Sequence, residues 1–231
     1  MSTEAHRELI RQEILHRSRY IQTPNFARCS DSDLRVLFEL YDAQFFNGSL
    51  ARRLPAACVF EFSARLRSSA GMTSRTRRAG VMHYRITIAN VVLFQNFADG
   101  QARKVTGVDC YDRLDALMRI FEHELLHLHE FLIDGKTNCS AGRFQSLARE
   151  FFGHQSHKHE LVTPRQKAIA TSPFRVGQLV AFERNSQSHT GTINRIHRRA
   201  TVLVESPRGT LYNNGKRYEK YYVPLAKLSA D

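Results

Sequence analysis

The sequence predicts an α+β chain in two parts: helices with a small antiparallel sheet up to residue 162, then a small all-β barrel. Three observations predict it. Between Asp109 and Asp134 the apolar residues recur at helical spacing. From Phe174 onward that spacing gives way to short alternating runs separated by turn residues. Between these regions, residues 163–173 hold two prolines around a polar, basic middle, the composition of a linker.

The elements follow in chain order. Ile10, Ile14, Tyr20 and Ile21 outline a short amphipathic helix that ends before Pro24, so residues 1–29 read as an N-terminal helical arm accessory to the rest. Ser30 with Asp33 can cap a second helix by accepting its free N–H groups. Leu34, Leu37, Phe38, Tyr41, Phe45 and Phe46 give that helix an apolar side, and Asn47-Gly48 ends it. Residues 58–62 alternate as a strand, and residues 83–88 make a second one. The Arg-, Ser- and Gly-rich segment between them reads as a hairpin with an exposed basic tip at Arg75, Arg77 and Arg78.

In the next helix Leu114, Leu117, Phe121, Leu125, Leu128 and Leu132 fall on one stripe, with Asp109 and Asp112 as a capping box and Gly135 as the stop. Phe144, Leu147, Ala148, Phe151 and Phe152 form a further helix closed by Gly153, which would supply a lid or wall. In the final part the strands read as residues 176–182, 191–196, 200–205 and 218–225, with a turn at residues 206–209.

Composition limits the partners. The chain has 231 residues, 42% of them hydrophobic, enough for one good core and a small second domain. Its 34 Lys and Arg against 22 Asp and Glu give +12, the balance of a polyanion-binding protein, with nucleic acid the leading class. No basic amphipathic segment or lipidation motif points to a membrane. The start is too charged for a signal peptide and no run of about 18 apolar residues occurs, which predicts an intracellular, cytoplasmic protein. Cys29, Cys58, Cys110 and Cys139 are isolated and read as reduced thiols. Oligomeric state leaves no mark in the sequence.

Residues 123–127 read His-Glu-Leu-Leu-His. Residues four apart lie one above the other on a helix, so His123 and His127 can both reach one Zn2+ ion, at roughly 2.0–2.1 Å. Glu124 then stands beside the ion as a general base for water. His129 reads as a surface residue, Glu122 and Glu130 as solvent-facing charges, and His157 and His159 as parts of a solvated polar loop.

Taken in order, the helix through Phe46 with Asn47-Gly48-Ser49-Leu50, the segment Arg65-Leu66-Arg67-Ser68-Ser69-Ala70-Gly71, the strand at 83–88, the His-Glu-Leu-Leu-His helix and the Gly142-Arg143-Phe144 helix resemble the SprT-like (Spartan-type) zinc metalloproteases. The resemblance covers about residues 30–160 and implies a zincin-like metalloprotease domain over residues 30–162. It implies a zinc endopeptidase acting on protein substrates attached to DNA, as in repair of DNA–protein crosslinks. One departure stands out. Members of the family carry a third zinc-binding histidine shortly before the aromatic that matches Phe144, where this chain has Asn138-Cys139-Ser140-Ala141. Cys139 is the replacement favoured by chemistry, because a thiolate binds zinc at about 2.3 Å and leaves a fourth position open. Glu150 and His154 are the competing third ligands.

Residues 174–231 have a cadence similar to KOW or Tudor-like modules. Arg195, Arg198 and Arg199 would crowd one turn, while Lys216, Arg217 and Lys220 interleave with Tyr212, Tyr218, Tyr221 and Tyr222. Basic groups suit phosphates and aromatic faces suit unpaired bases, so this part is expected to bind DNA, single-stranded DNA included. Two alternatives are a zinc-containing nucleic-acid-binding protein without catalysis, and a protease whose barrel binds a protein partner.

Overall fold

The computed structural model describes residues 2–97, 100–163, 166–167, 170, 172–196 and 199–230. The chain divides into two compact units, Met1–Thr163 and Pro164–Asp231. Most of the expected linker is thus assigned to the second unit, and five of its residues, 164, 165, 168, 169 and 171, lie outside the described ones.

In the first unit α1 (Thr3–Arg17) is not an accessory arm. Ile10, Ile14 and Ile21 belong to the main core, and Arg7 is 3% exposed. The physical reason is mutual cover, since α1 lays its apolar stripe on α2 (Asp31–Phe46) and both stripes leave water together. Ser30 and Asp33 form the expected capping box, and Asn47, in the left-handed region, ends α2. The buried Asp42 carboxylate then accepts the Leu50 and Ala51 N–H groups at 2.9 and 3.0 Å, starting the short α3 (Ser49–Arg53).

Strands β1 (Val59–Phe62), β2 (Gly71–Arg78) and β3 (Val81–Ile88) make a sheet in the order β1-β3-β2. It is mixed, not antiparallel as expected, because β1 runs parallel to β3. A tight hairpin through Ala79 and Gly80 fixes β2 against β3, and residues 63–70 carry the chain past the slot that β3 later fills. β3 is therefore central and β2 an edge. The helix α4 (Asn90–Gln95) and the hairpin of β4 (Arg103–Val105) and β5 (Val108–Cys110) follow, neither anticipated from sequence.

Helix α5 (Arg113–Asp134) packs across β2 and β3, with Leu114, Leu117, Phe121, Leu125 and Leu128 fully buried. Its N-cap is Asp112, whose carboxylate accepts the Asp115 N–H at 2.9 Å and pairs with Arg11 of α1 at 2.7 Å. Asp109, expected in that role, lies in β5 and pairs with Lys104. Gly135 ends α5, and α6 (Gly142–Phe152) ends at Gly153 as expected. No helix among the described residues is long and apolar enough to cross a membrane.

The second unit is a five-stranded antiparallel sheet of β6 (Leu179–Arg184), β7 (Gln187–Ile196), β8 (Arg199–Leu211), β9 (Arg217–Pro224) and β10 (Ser229–Ala230). Its order is β10-β6-β7-β8-β9, so it is open and not the barrel expected. The chain returns to β6 with a two-residue strand only, and among the described residues nothing pairs that edge with β9. The sheet nonetheless curls, for Tyr221 on β9 stacks near Phe182 and His189 at 5.3 and 5.0 Å between ring centres. Residues 206–209, expected as a turn, lie inside β8, where the register with β9 breaks. Gly209 permits this, since a Cβ there would come within 2.3 Å of the Tyr218 backbone. Phe174, Val180, Phe182, Ile193, Ile196 and Val202 are in this unit's own core.

Candidate metal centre

Helical spacing brings the two histidines of α5 together: their Nε2 atoms lie 3.1 Å apart. Two nitrogens bound to one tetrahedral ion at roughly 2.0–2.1 Å would be about 3.3 Å apart. Phe144 of α6 packs on both rings, at 4.9 and 4.6 Å, so α6 is a wall of the site. Cys139 occupies a turn closed by the Ala141 N–H to the Asn138 carbonyl, and its Sγ lies within 4.8 Å of the histidine ligand atoms. A zinc-bound thiolate would need that spacing to close to roughly 3.5 Å, a shift of about 1 Å for a residue in a turn.

The competing third ligands are accounted for elsewhere. His154 is 2% exposed and its Nε2 is bonded to Glu122 at 2.8 Å, while Glu150 faces solvent.

Burial pushes the His123 imidazole down to about 3, helped by His127 and other nearby histidines, and pushes His127 down to about 4. Both rings are neutral at neutral pH and present lone pairs, as metal ligation requires. Burial also raises the Cys139 thiol. His127 is oriented from behind. Its Nδ1 lies 2.6 Å from the Thr137 hydroxyl, which donates its only proton to Glu130 at 2.6 Å. The hydroxyl must therefore accept from Nδ1–H, which leaves the His127 lone pair on Nε2. The donor set and the His123–His127 spacing could hold a metal ion, with Cys139 completing the set after that shift.

Glu124 is 4% exposed, and burial pushes its carboxyl up to about 7. The Thr73 hydroxyl donates to its Oε2 at 2.7 Å, which offsets part of that shift. β2 reaches this close because residue 71 is glycine. A Cβ at Gly71 would stand 2.6 Å from Glu124 Oε1.

A cleft of about 520 Å³ joins these groups; Gly71, Met72 and Thr73 line it beside His123, Glu124, His127 and Cys139. The wall is β2, since β3 is central and Ile88 at its end is fully buried. His157 and His159 line the cleft too and are not simply solvated. Backbone bonds to the β4–β5 hairpin hold their loop in place: the Thr106 carbonyl accepts from Gln155 and Ser156, and the Thr106 N–H donates to Lys158.

Two other expectations fail on α5. Glu122 and Glu130 are buried, at 0% and 5% exposed. Glu122 accepts from Arg7 at 2.7 Å, from the Tyr41 hydroxyl at 2.8 Å and from His154, with Arg119 at 3.7 Å. His129 is half-buried between Phe46 and Phe151. Sequence reasoning also missed Gly71, Thr73, Thr137 and the role of Glu130, although Glu130 follows His127 by three, the spacing of one helix face.

The basic residues scatter. Arg75, Arg77 and Arg78 are exposed on β2, where Arg75 lies over the Phe131 ring at 4.8 Å. Arg195 and Arg199 are exposed on β7 and β8, and Arg198 lies outside the described residues. Lys216 pairs with Glu205 at 2.8 Å, and Arg217 donates to the Gly209 carbonyl. Residues 164–231 hold twelve Lys and Arg against four Asp and Glu, a net +8.

Compared with protein-family models, with characterised proteins and with solved structures, the chain matches none.

Proposed function

We propose that the chain is a zinc-dependent endopeptidase with a zincin-like first unit, resembling SprT-like proteases, and that it acts on proteins bound or crosslinked to DNA. One observation carries the reading. His123, His127 and Cys139 converge on one cleft that also holds a buried carboxylate, Glu124. A bound zinc ion would supply Lewis acidity toward a carbonyl and toward water.

The remaining work falls to this chain's own groups. Glu124, buried in a largely apolar setting beside the ligands, is placed to take a proton from water and return it to a leaving amine. Thr73 holds that carboxylate and Thr137 holds the His127 tautomer. The free edge of β2 beside the cleft would take an extended peptide as an added strand, presenting its backbone to Glu124. The +12 balance supports DNA as the place where substrates are met.

The test pairs metal content with cleavage. Zinc measured by mass spectrometry is expected to be stoichiometric in the wild type and mostly lost in Cys139→Ala. Glu124→Gln should keep the metal and lose about 10²–10⁴-fold in cleavage of an unfolded protein or of a protein tethered to an oligonucleotide. Cleavage by Glu124→Gln at the wild-type rate would leave the non-catalytic reading in its place.

A further inference from the structure

The second unit carries a surface with no place in the metal chemistry. Its sheet stays open between β9 and the side of β6 where β10 pairs, and three hollows meet there at Arg184. The middle one, about 360 Å³, is lined by Phe182, Arg184, Arg199, Tyr221, Tyr222 and Lys227, with Glu183 beside them. The second, about 420 Å³, adds Lys220 and Glu219, and the third, about 680 Å³, extends along residues 226–229. Together they form a track and not a hole.

The groups on that track are available. Arg184, Arg199 and Lys227 are exposed, and none of the three makes an ion pair among the described residues. Lys216, by contrast, already pairs with Glu205. Glu219 is engaged by Ser206 and by the Tyr221 hydroxyl at 2.8 and 2.9 Å. The Tyr221 ring lies under the Arg184 guanidinium at 5.3 Å. Tyr222, between the inward-facing Tyr221 and Val223 of β9, points to the other face and is 64% exposed.

We propose that this seam binds single-stranded nucleic acid, with phosphates on Arg184, Arg199 and Lys227 and an unpaired base stacked on Tyr222. Charge selects a polyanion, since this unit holds a net +8 of the chain's +12. The exposed ring selects a single strand, because a duplex keeps its base faces inside its own stack while a splayed strand offers them. The site rests on the nucleic-acid half of the proposed function and is independent of the metal centre.

The experiment uses the full chain carrying Glu124→Gln and fluorescence anisotropy with labelled oligo-dT and oligo-U of about 15 nucleotides, and a duplex of equal length, over a range of salt. Tyr222→Ala is expected to weaken strand binding at least about fivefold, with Tyr222→Phe near wild type. The pair Arg199→Ala and Lys227→Ala should weaken it and reduce the slope of log K against log salt by roughly 1.4, about 0.7 per phosphate contact. Tighter binding of one oligomer identifies DNA or RNA as the natural strand, and both results support the site. The proposal is overturned if Tyr222→Ala and the double variant bind as the wild type does, if Arg195→Ala or Lys216→Ala abolishes binding instead, or if the duplex binds as tightly as the strand. Should no strand bind at all, the DNA half of the function falls with it. Cleavage of a DNA-free protein by the wild type would still report separately on the metal centre.

Discussion

Two glutamates on α5, Glu122 and Glu124, are both buried, yet burial leaves them in opposite states. Burial alone would raise either carboxyl. Around Glu122 the His154 hydrogen bond, Arg7 and Arg119 more than offset it and hold the group down at about 2. Glu124 has no such cation, only the Thr73 hydroxyl, and rises to about 7. Residues two apart on a helix point to different sides, so one carboxylate meets α1 and the end of α6 while the other meets β2 and the cleft. Depth therefore does not separate a structural acid from a reactive one; the charges brought to it do.

The largest effect is expected from Arg7→Ala. It leaves a fully buried carboxylate short of its closest cation, which typically costs about 3–5 kcal/mol. Urea denaturation should show it as a lower midpoint at unchanged slope. A loss below about 1 kcal/mol would mean that His154 and Arg119 suffice to hold Glu122.

The same contrast predicts opposite pH slopes for the metal-free protein. Glu122 in the fold lies below its ordinary value of 4.5, so its contribution is complete above 4.5 and is lost as pH falls toward about 2. Glu124 lies above 4.5, so its contribution is present below that value and is lost as pH rises through about 7. Stability measured against pH should fall less steeply on the acid side in Glu122→Gln, where the neutral His123 and His127 keep part of the fall, and should lose the neutral-side fall in Glu124→Gln. Identical profiles for the two variants would erase the distinction between the acids.

Gly71→Ala tests the Glu124 side alone. The new Cβ, 2.6 Å from Oε1, must displace the carboxylate or β2. A misplacement of about 1 Å in a catalytic group costs on the order of 10²-fold in rate, and that loss is expected here with zinc content kept. Unchanged cleavage would show that the position of Glu124 is not set by β2.

What the sequence made legible follows the reach of each signal. The His-Glu-Leu-Leu-His face and the caps at Ser30, Asn47 and Gly153 are local consequences of helix geometry, and they stand where expected. Glu122 was misread because its cation, Arg7, is 115 residues away and no short pattern links them. A signal did exist: Ala116, Met118, Ile120 and Leu126 make α5 apolar beyond its main stripe, and a helix apolar on most sides buries its charges too. Strand direction in β1 and the failure of the second sheet to close were not readable. Alternation marks a strand without its partner, and the two residues of β10 are too few to show any period.

The smallest effect concerns the third buried acid of α5, Glu130, which acts through Thr137. The hydroxyl proton goes to Glu130 Oε2, so Thr137 accepts from His127 Nδ1–H and keeps the Nε2 lone pair turned toward His123. Valine has nearly the shape of threonine and neither bond. Thr137→Val is therefore expected to lower zinc affinity about 10- to 100-fold, read by competition with a chromophoric chelator, and to lower the denaturation midpoint because the buried Glu130 loses its hydrogen bond. Long-range ¹⁵N spectra of the metal-free protein should place the His127 proton on Nδ1 in the wild type and release it from that nitrogen in the variant. Unaltered affinity together with an unaltered tautomer would put Glu130 beside Glu122 as a structural acid, leaving Glu124 as the one carboxylate of this helix that serves the cleft.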